Sequence, residues 1–437
     1  MEKRVYIETW GCQMNLHQSE AIAGVMAAAG YTLVERMADA DIVLFNGCMV
    51  RQKAEEKLLG RIGAVVEAKR RRPVLLGVGG CFGEIHGASL LERCAAVDLV
   101  FGSRGHGGLP ALIEEAAGGG RTMLREAGRA TLEELPMRRS GAVTAMVTIT
   151  EGCSNFCSYC IVPYARGPMR SRAPEPILAE VREALRQGFR EVQLLGQNVN
   201  AYGTDASAYG DFAALLHRIA SEKVDRIRFT SSHPRDMSVG ILDAIAAHDN
   251  ICPHIHLACQ SGSDRILEHM NRGYSRDAYL AVAREARRRI PGLNLTTDLI
   301  VGFPGETEDD FEQTLDLMRE VRFGTVYAAK YSPRPLTRAA EKADDVPAAE
   351  KEERLERVLG LQRAIALEAN EAQVGKDIEV LIEGATRGAA WFGRASDHRT
   401  VVVVGSAAPG DLIVARIQAA SASALSGIVL VPEGAVP

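Results

Sequence analysis

The 437-residue sequence has no run approaching the roughly 18 consecutive apolar residues that a membrane-spanning helix requires. Its start, Met1-Glu2-Lys3-Arg4 leading into a strand-like segment, also lacks the apolar h-region of a secretory signal. These two absences argue against a membrane protein and make the cytoplasm the expected location. Positive charge is short as well: 51 Lys and Arg stand against 56 Asp and Glu, a net charge of -5. A global basic field of the kind that marks nucleic-acid binders is therefore missing, and any RNA site must be local. Low-complexity segments are absent. The nine cysteines form an odd set with no secretion signal, which argues against a disulfide framework and for reduced thiols able to bind metal.

What the sequence does contain is regular alternation. At this length two or three domains are expected, each burying its own core. The first hundred residues repeat an apolar strand, a glycine-cysteine turn and a helical stretch three times: Val5-Tyr6-Ile7 to Gly11-Cys12, Ile42 to Phe45 and then Gly47-Cys48, and Val74-Leu75-Leu76 to Gly80-Cys81. A fourth unit, Val97 to Phe101, carries no cysteine. This pattern predicts an α/β domain with a doubly wound parallel sheet. Ligands in such sheets gather outside the carboxyl ends of the strands, so Cys12, Cys48 and Cys81 are expected to converge.

Gly118 to Gly120 and the polar segment through Arg139-Ser140-Gly141 suggest a linker. Beyond it six further strands alternate with helices: Val143 to Thr150, Val192 to Leu195, Arg226 to Thr230, Ile255 to Ala258, Leu295 to Val301 and Thr325 to Tyr331. Six strand-helix units predict a partial parallel barrel, open on one side, with its working face at the strand C-termini. Those ends carry Gly152-Cys153, Gly196-Gln197-Asn198, Ser231-Ser232, Gln260-Ser261, Gly302 to Glu306 and Ser332-Pro333-Arg334. Thr307 with Glu308, Asp309 and Asp310 reads as a helix N-cap and first turn. A charged helix from Glu350 to about Val374 precedes β-rich runs at Ile378 to Ile382, Thr400 to Val404, Leu412 to Ile417 and Gly427 to Val431. These predict a small β-barrel.

The densest chemistry lies in Gly152-Cys153-Ser154-Asn155-Phe156-Cys157-Ser158-Tyr159-Cys160. Three thiolates on one loop suit a cubane cluster with one iron left open for a substrate or cofactor. A structural zinc site is the competing reading, but it would call for a fourth ligand nearby with its own paired spacing. For Cys12, Cys48 or Cys81 taken singly, the competing role is that of a small buried hydrophobe. Core packing is expected of Cys94 and Cys252.

This cysteine spacing, with Tyr159 before the last thiol, resembles the signature of the radical S-adenosylmethionine superfamily. Nearly the whole chain resembles its methylthiotransferases, most closely the tRNA-modifying MiaB group. The matching segments are Thr9 to Asn15, Glu151-Gly152-Cys153, Val162 to Gly167, Leu194 to Asn200, Arg228 to Pro234 and Gly302 to Glu306. The resemblance implies two 4Fe-4S clusters, one on Cys153, Cys157 and Cys160 that binds S-adenosylmethionine, and an auxiliary one on Cys12, Cys48 and Cys81. It implies a radical that removes hydrogen from carbon 2 of an adenine, and a methylated sulfur delivered from the auxiliary cluster. It also implies a domain order of methylthiotransferase domain (1–120), linker (121–140), radical barrel (141–370) and TRAM barrel (371–437).

Within that scheme Tyr159, Gln197, Asn198, Ser232 and Ser261 are candidates for cofactor contact, with turn stabilisation as the competing role of Gln197 and Asn198. Arg166, Arg334, Arg394 and Arg399 are candidates for RNA phosphate, or else surface ion pairs. Trp391, Phe392 and His398 are available for base stacking. From Glu371 onward five basic residues face seven carboxylates, so the last domain is mildly acidic. Lys69 to Arg72 reads as a solvated helix end, and His254 and His256 as packed strand histidines. Expected partners are a tRNA anticodon stem-loop and an electron donor such as flavodoxin or ferredoxin, and a monomer is expected.

The expected reaction is methylthiolation of N(6)-isopentenyladenosine next to the anticodon. The alternatives are threonylcarbamoyladenosine in tRNA, a ribosomal-protein aspartate, and a non-catalytic metal-containing RNA-binding protein. Gln13-Met14-Asn15 favours the first reading. The sequence departs from the group at Gly47, where threonine is usual, at Ala258 and Cys259, in place of proline and valine, and at Leu336 and Arg338, in place of glycine and proline. The departures at Cys259 and at Arg334 to Arg338 are expected at the active face.

Overall fold

The computed structural model describes residues 3–50, 52–104, 106–124, 135–141 and 143–430. The chain divides into two compact units. Residues 1–140, 151–154 and 160–172 make the first, and residues 141–150, 155–159 and 173–437 the second.

In the first unit six parallel strands run in the order Thr32–Leu33, Arg4–Trp10, Ile42–Gly47, Leu75–Gly79, Leu99–Phe101 and Thr122–Leu124. Helices cover both faces. Val43 and Phe45 pack with Leu58, Ile62 and Val65 of helix Gln52–Lys69 and with Phe82 of helix Gly80–Arg93. Ile42 and Leu44 pack on the opposite side, with Ile22 and Met26 of helix Gln13–Ala28 and Leu112 and Ile113 of helix Leu109–Ala117. Alternate residues of one strand thus enter two cores, which is why a central strand reads as an unbroken apolar run. Thr122–Leu124 falls within the expected linker yet adds the sixth strand to the sheet. Of that linker, residues 125–134 lie outside the described residues.

The second unit holds two three-stranded parallel sheets. One has the order Arg226–Phe229, Glu191–Leu195, Thr144–Thr148, and the other His254–His256, Asn294–Val301, Thr325–Lys330. Parallel bridges Ile227 to Ile251 and Ser232 to Leu257 join them into one curved wall of six strands. Its interior core runs from Val147 and Leu194 through Ile227 and Ile255 to Leu299 and Val326. The six strands expected of an open barrel are all present. Thr307 caps helix Glu308–Val321 through a reciprocal capping box with Asp310.

Helix Ala348–Glu371 leads to a closed five-stranded barrel in the order Asp377–Ala385, Trp391–Ala395, Thr400–Val404, Leu425–Val429, Leu412–Ala420. Trp391–Ala395 is a strand that apolar patterning missed, because its Gly393-Arg394 pair breaks the alternation. Gly393 is needed there: a Cβ would meet Leu381 O at 2.1 Å. Of the expected run Gly427 to Val431, Val431 lies outside the described residues. Among the described residues no helix is long and apolar enough to cross a membrane.

Candidate functional site

Each of the first three cysteines follows a strand of the first unit's sheet. Cys12 is the N-cap of helix Gln13–Ala28, Cys48 comes directly after Ile42–Gly47, and Cys81 lies in the first turn of helix Gly80–Arg93. The Cys48 amide donates to Trp10 O at 3.0 Å. Gly11 has φ +147, and a Cβ on it would meet Cys48 Cβ at 2.3 Å. Gly80 has φ +73, and a Cβ there would meet Asn46 Oδ1 at 2.1 Å. The glycines before Cys12 and Cys81 therefore allow a close approach that a side chain would block.

The three thiols share one electrostatic environment. A hydrogen bond with Cys48 lowers Cys12 to about 5, burial opposes this, and Arg166 adds to the lowering. The same bond pushes Cys48 up, with burial second. Burial raises Cys81, while Arg166 opposes the rise by charge and by a hydrogen bond. Asn15 and Asn46, both wholly buried, brace the turns: Asn15 Nδ2 donates to Asn46 Oδ1 at 3.1 Å and to Gly47 O at 3.3 Å, and Asn46 Nδ2 donates to Asn15 O at 2.9 Å. Cys12 Sγ lies 3.1 Å from Asn15 Oδ1. Asn15 lies in the Thr9 to Asn15 segment, where nothing in the sequence marks this bracing role. Asn46 carried no signal beyond a polar residue at the end of an apolar strand.

Also in the first unit, Cys153 is buried and its amide donates to Gly167 O at 3.1 Å. A Cβ on Gly152, which has φ +76, would meet Pro168 O at 2.2 Å. Cys160 is half-buried. In the second unit Cys157 is buried beside Arg272, whose Nη1 lies 3.3 Å from Cys157 Sγ and 3.4 Å from the Tyr159 hydroxyl. Arg272 Nη2 donates to Ala258 O at 2.7 Å, and its Nε donates to the Tyr274 hydroxyl at 3.2 Å. Ser158 N donates to Met270 O at 3.0 Å and Ser158 Oγ to His269 O at 2.8 Å. Asn271 Nδ2 donates to Phe156 O at 3.1 Å. The run His269 to Arg272 thus holds the middle of the cysteine loop, a role its sequence did not advertise.

Of eight non-glycine residues with left-handed backbone among the described residues, Phe156 (φ 47), Ser231 (φ 64), Gln260 (φ 67) and Leu336 (φ 68) follow barrel strands near these ends. Such strain gathers at functional surfaces. Orphaned polar atoms gather there too. Thr150 Oγ1, Asn198 Oδ1, Ser232 Oγ and the Tyr331 hydroxyl are buried with no hydrogen-bond partner among the described residues. Buried polar atoms of this kind need a partner, and a polar cofactor across the strand ends would supply one. The other candidates divide. Asn198 Nδ2 donates to Asp236 Oδ2 at 2.6 Å, whereas Ser261 Oγ is engaged by Thr314 Oγ1 at 3.4 Å and Ser263 N at 3.2 Å. Gln197 and Tyr159 are half-buried. Thr150 and Tyr331 were not singled out from the sequence.

Among the described residues no group of three or more His, Cys, Asp or Glu is arranged to hold a single metal ion. A cubane takes one thiolate at each iron, so its ligands surround a body instead of converging on a point. Soft thiols next to a buried cation fit that kind of group.

Residues 147–318 match the Radical SAM superfamily, residues 4–102 the Uncharacterized protein family UPF0004, and residues 371–430 the TRAM domain. A tRNA-2-methylthio-N(6)-dimethylallyladenosine synthase of Moorella thermoacetica is 46% identical over 391 residues, which is 88% of each chain. Its namesake from Pelotomaculum thermopropionicum is 43% identical over 436 residues, 98% of this chain and 97% of its own. The chain belongs to the tRNA-2-methylthio-N(6)-dimethylallyladenosine synthase family. Among solved structures the fold is shared with the radical S-adenosylmethionine methyltransferase TsrM from Kitasatospora setae, at TM-score 0.59 and 13% identity over 78% of this chain and 74% of that one. Membership in the Radical SAM superfamily implies a 4Fe-4S cluster and S-adenosylmethionine.

For a member of this synthase family, the arginines expected to meet RNA are notably occupied. Arg166 is buried in the first unit among the thiols, so it does not face solvent. Arg334 is buried. Arg394 pairs with Glu383 at 3.2 Å, and Arg399 pairs with Asp397 and donates Nε to Asn370 Oδ1 at 3.0 Å. His398 stacks on His254 with ring centroids 4.5 Å apart, and the Trp391 indole N–H donates to Gly405 O at 3.2 Å. His256 accepts the Ser231 amide at 3.1 Å, so it and His254 are packed strand residues. The Lys69 to Arg72 run is a helix end tied down by Asp98, Glu67 and backbone carbonyls.

Three of the positions expected to depart from the group, 47, 259 and 336, sit in different settings. A side chain at position 47 would meet Leu58 Cδ1 at 2.3 Å, so Gly47 makes room for Leu58. Cys259, expected at the active face, is wholly buried in the core, where Thr297 Oγ1 donates to its sulfur at 3.1 Å; burial pushes its thiol up to about 12. Leu336, by contrast, is 63% exposed.

Proposed function

We propose that this chain adds a methylthio group to carbon 2 of N(6)-isopentenyladenosine next to the anticodon of tRNA. The observation that carries the reading is 43% identity to a relative of that name across 98% of this chain. The TRAM domain supports tRNA as the substrate.

In this reading Cys153, Cys157 and Cys160 hold one 4Fe-4S cluster, and Cys12, Cys48 and Cys81 hold a second. When bound, the clusters and S-adenosylmethionine supply the electron, the radical and the methylated sulfur, the chemistry that side chains cannot perform. The protein binds, orients and shields. Asn198 Oδ1 and Ser232 Oγ, buried and without partners among the described residues, take the polar parts of S-adenosylmethionine, with Thr150 Oγ1 and the Tyr331 hydroxyl in the same role. Tyr159 and Gln197 contribute from the flanking turns, while Ser261 acts through the Ser263 cap. Arg394 and Arg399 meet RNA by exchanging Glu383 and Asp397 for phosphate. Arg334 lies at the same strand ends and orients the substrate loop. A low-potential donor such as flavodoxin or ferredoxin provides electrons, and the enzyme works as a cytoplasmic monomer.

Mass spectrometry of tRNA nucleosides from a deletion strain tests the substrate. The 2-methylthio nucleoside is expected to vanish, with N(6)-isopentenyladenosine accumulating. An unchanged level of the methylthiolated nucleoside would contradict the reading.

A further inference from the structure

Arg166 ends the short helix Val162–Arg166, which follows Cys160 in sequence. That helix packs against Gly80–Arg93, the helix carrying Cys81, and Ala165 and Cys81 belong to one apolar cluster. Polar bonds hold the guanidinium in place. Arg166 Nη2 donates to Gln18 Oε1 at 3.2 Å, Gln18 Nε2 donates to Ser103 O at 2.9 Å, and Ser103 Oγ donates to Ala165 O at 2.9 Å. Arg166 is 4% exposed and Gln18 0%. The ionisable groups that act on the guanidinium are Cys81, Cys12, Glu151 and Cys48.

A guanidinium does not lose its charge in a protein. Burying one is costly unless it is paired, and an apolar residue of similar volume would stabilise a purely structural site as well or better. Glu151 is the one carboxylate that acts on Arg166, and it is shared with Arg104 and Arg172. The buried thiols of Cys48 and Cys81 and the exposed thiol of Cys12, all acting on this cation, add no favourable term while they are protonated. They repel one another strongly once ionised. A fixed cation becomes useful when these sulfurs are thiolates on an anionic cluster.

We infer that Arg166 is the positioning residue of the auxiliary site: its guanidinium, set by Gln18, compensates the charge of the cluster held by Cys12, Cys48 and Cys81 and raises that cluster's reduction potential. The inference rests on the two-cluster reading above. Removing the cation makes the more negative, reduced cluster harder to form.

The test uses the full chain with Cys153, Cys157 and Cys160 all changed to Ala, so that only the auxiliary set can bind iron after anaerobic reconstitution. Iron content and the midpoint potential are measured with Arg166 intact, with Arg166→Lys and with Arg166→Met. The Lys variant is expected to keep its iron and its potential. The Met variant is expected to shift the reduction equilibrium at least tenfold toward the oxidised form, about 59 mV for a one-electron couple, or to lose iron that the Lys variant retains. Equal potentials in the Met variant and the Arg166 parent would overturn the inference. Iron loss and unfolding in both Lys and Met variants would overturn it too, by showing that the hydrogen-bond geometry and not the charge matters. Absence of iron from the Arg166 parent would instead remove the two-cluster reading, and the inference with it.

Discussion

Arg272 Nη1 lies 3.3 Å from Cys157 Sγ, and the same guanidinium donates to Ala258 O at 2.7 Å. One side chain from beyond the fourth barrel strand thus braces the cysteine loop and places a fixed positive charge against the Cys157 thiol. Partners in that position typically change metal affinity or activity about 10- to 100-fold when removed. For Arg272→Met we expect a loss of that size in reductant-dependent 5′-deoxyadenosine formation, with Arg272→Lys intermediate. A Met variant within twofold of wild type would contradict this role.

The stacked pair His254 and His398 predicts a pH response. Burial first, then Arg228, Arg394 and His256, hold His398 at about 3 against an ordinary 6.5, and His254 is lowered by burial and by His398. Above pH 6.5 the imidazoles are neutral in folded and unfolded chains alike, and stability does not respond. Below it the unfolded chain takes up protons that the folded chain refuses. Stability therefore falls as pH drops from 6.5 towards about 3. At pH 5 the His398 contribution amounts to about 2 kcal/mol. Denaturant unfolding at pH 7 and pH 5 should show a smaller loss in His398→Asn than in wild type; equal losses would refute the assignment.

Leu336 adopts φ 68 while 63% exposed. Left-handed backbone costs a residue with a Cβ about 1–2 kcal/mol, and glycine escapes that cost. Leu336→Gly should accordingly raise the denaturant midpoint, with a gain of about 1 kcal/mol. A lowered midpoint would mean that the exposed isobutyl group makes contacts worth more than the strain.

Much of this arrangement was legible in the sequence because it is carried by local patterns. The repeated strand, glycine and cysteine units placed Cys12, Cys48 and Cys81 at one sheet edge, since in a parallel sheet every such turn falls at the same end. The six barrel strands and the Thr307 cap followed from apolar runs and capping chemistry. What stayed hidden depends on contacts distant in sequence. Arg272 is separated from Cys157 by three of the six barrel strands, and Asn46 meets Asn15 only across the sheet. Arg166 looked like an exposed cation because arginine usually is one, whereas the chain after Cys160 turns it into the first unit. Cys259 follows a strand and looked like a site residue, but Thr297 holds it inside the core.

On the proposed function, two separate sets of three cysteines each hold a cluster. Iron and acid-labile sulfide should be measured after anaerobic reconstitution in wild type and in the variant with Cys153, Cys157 and Cys160 changed to Ala. The variant is expected to keep half the iron and half the sulfide. Complete loss would contradict it.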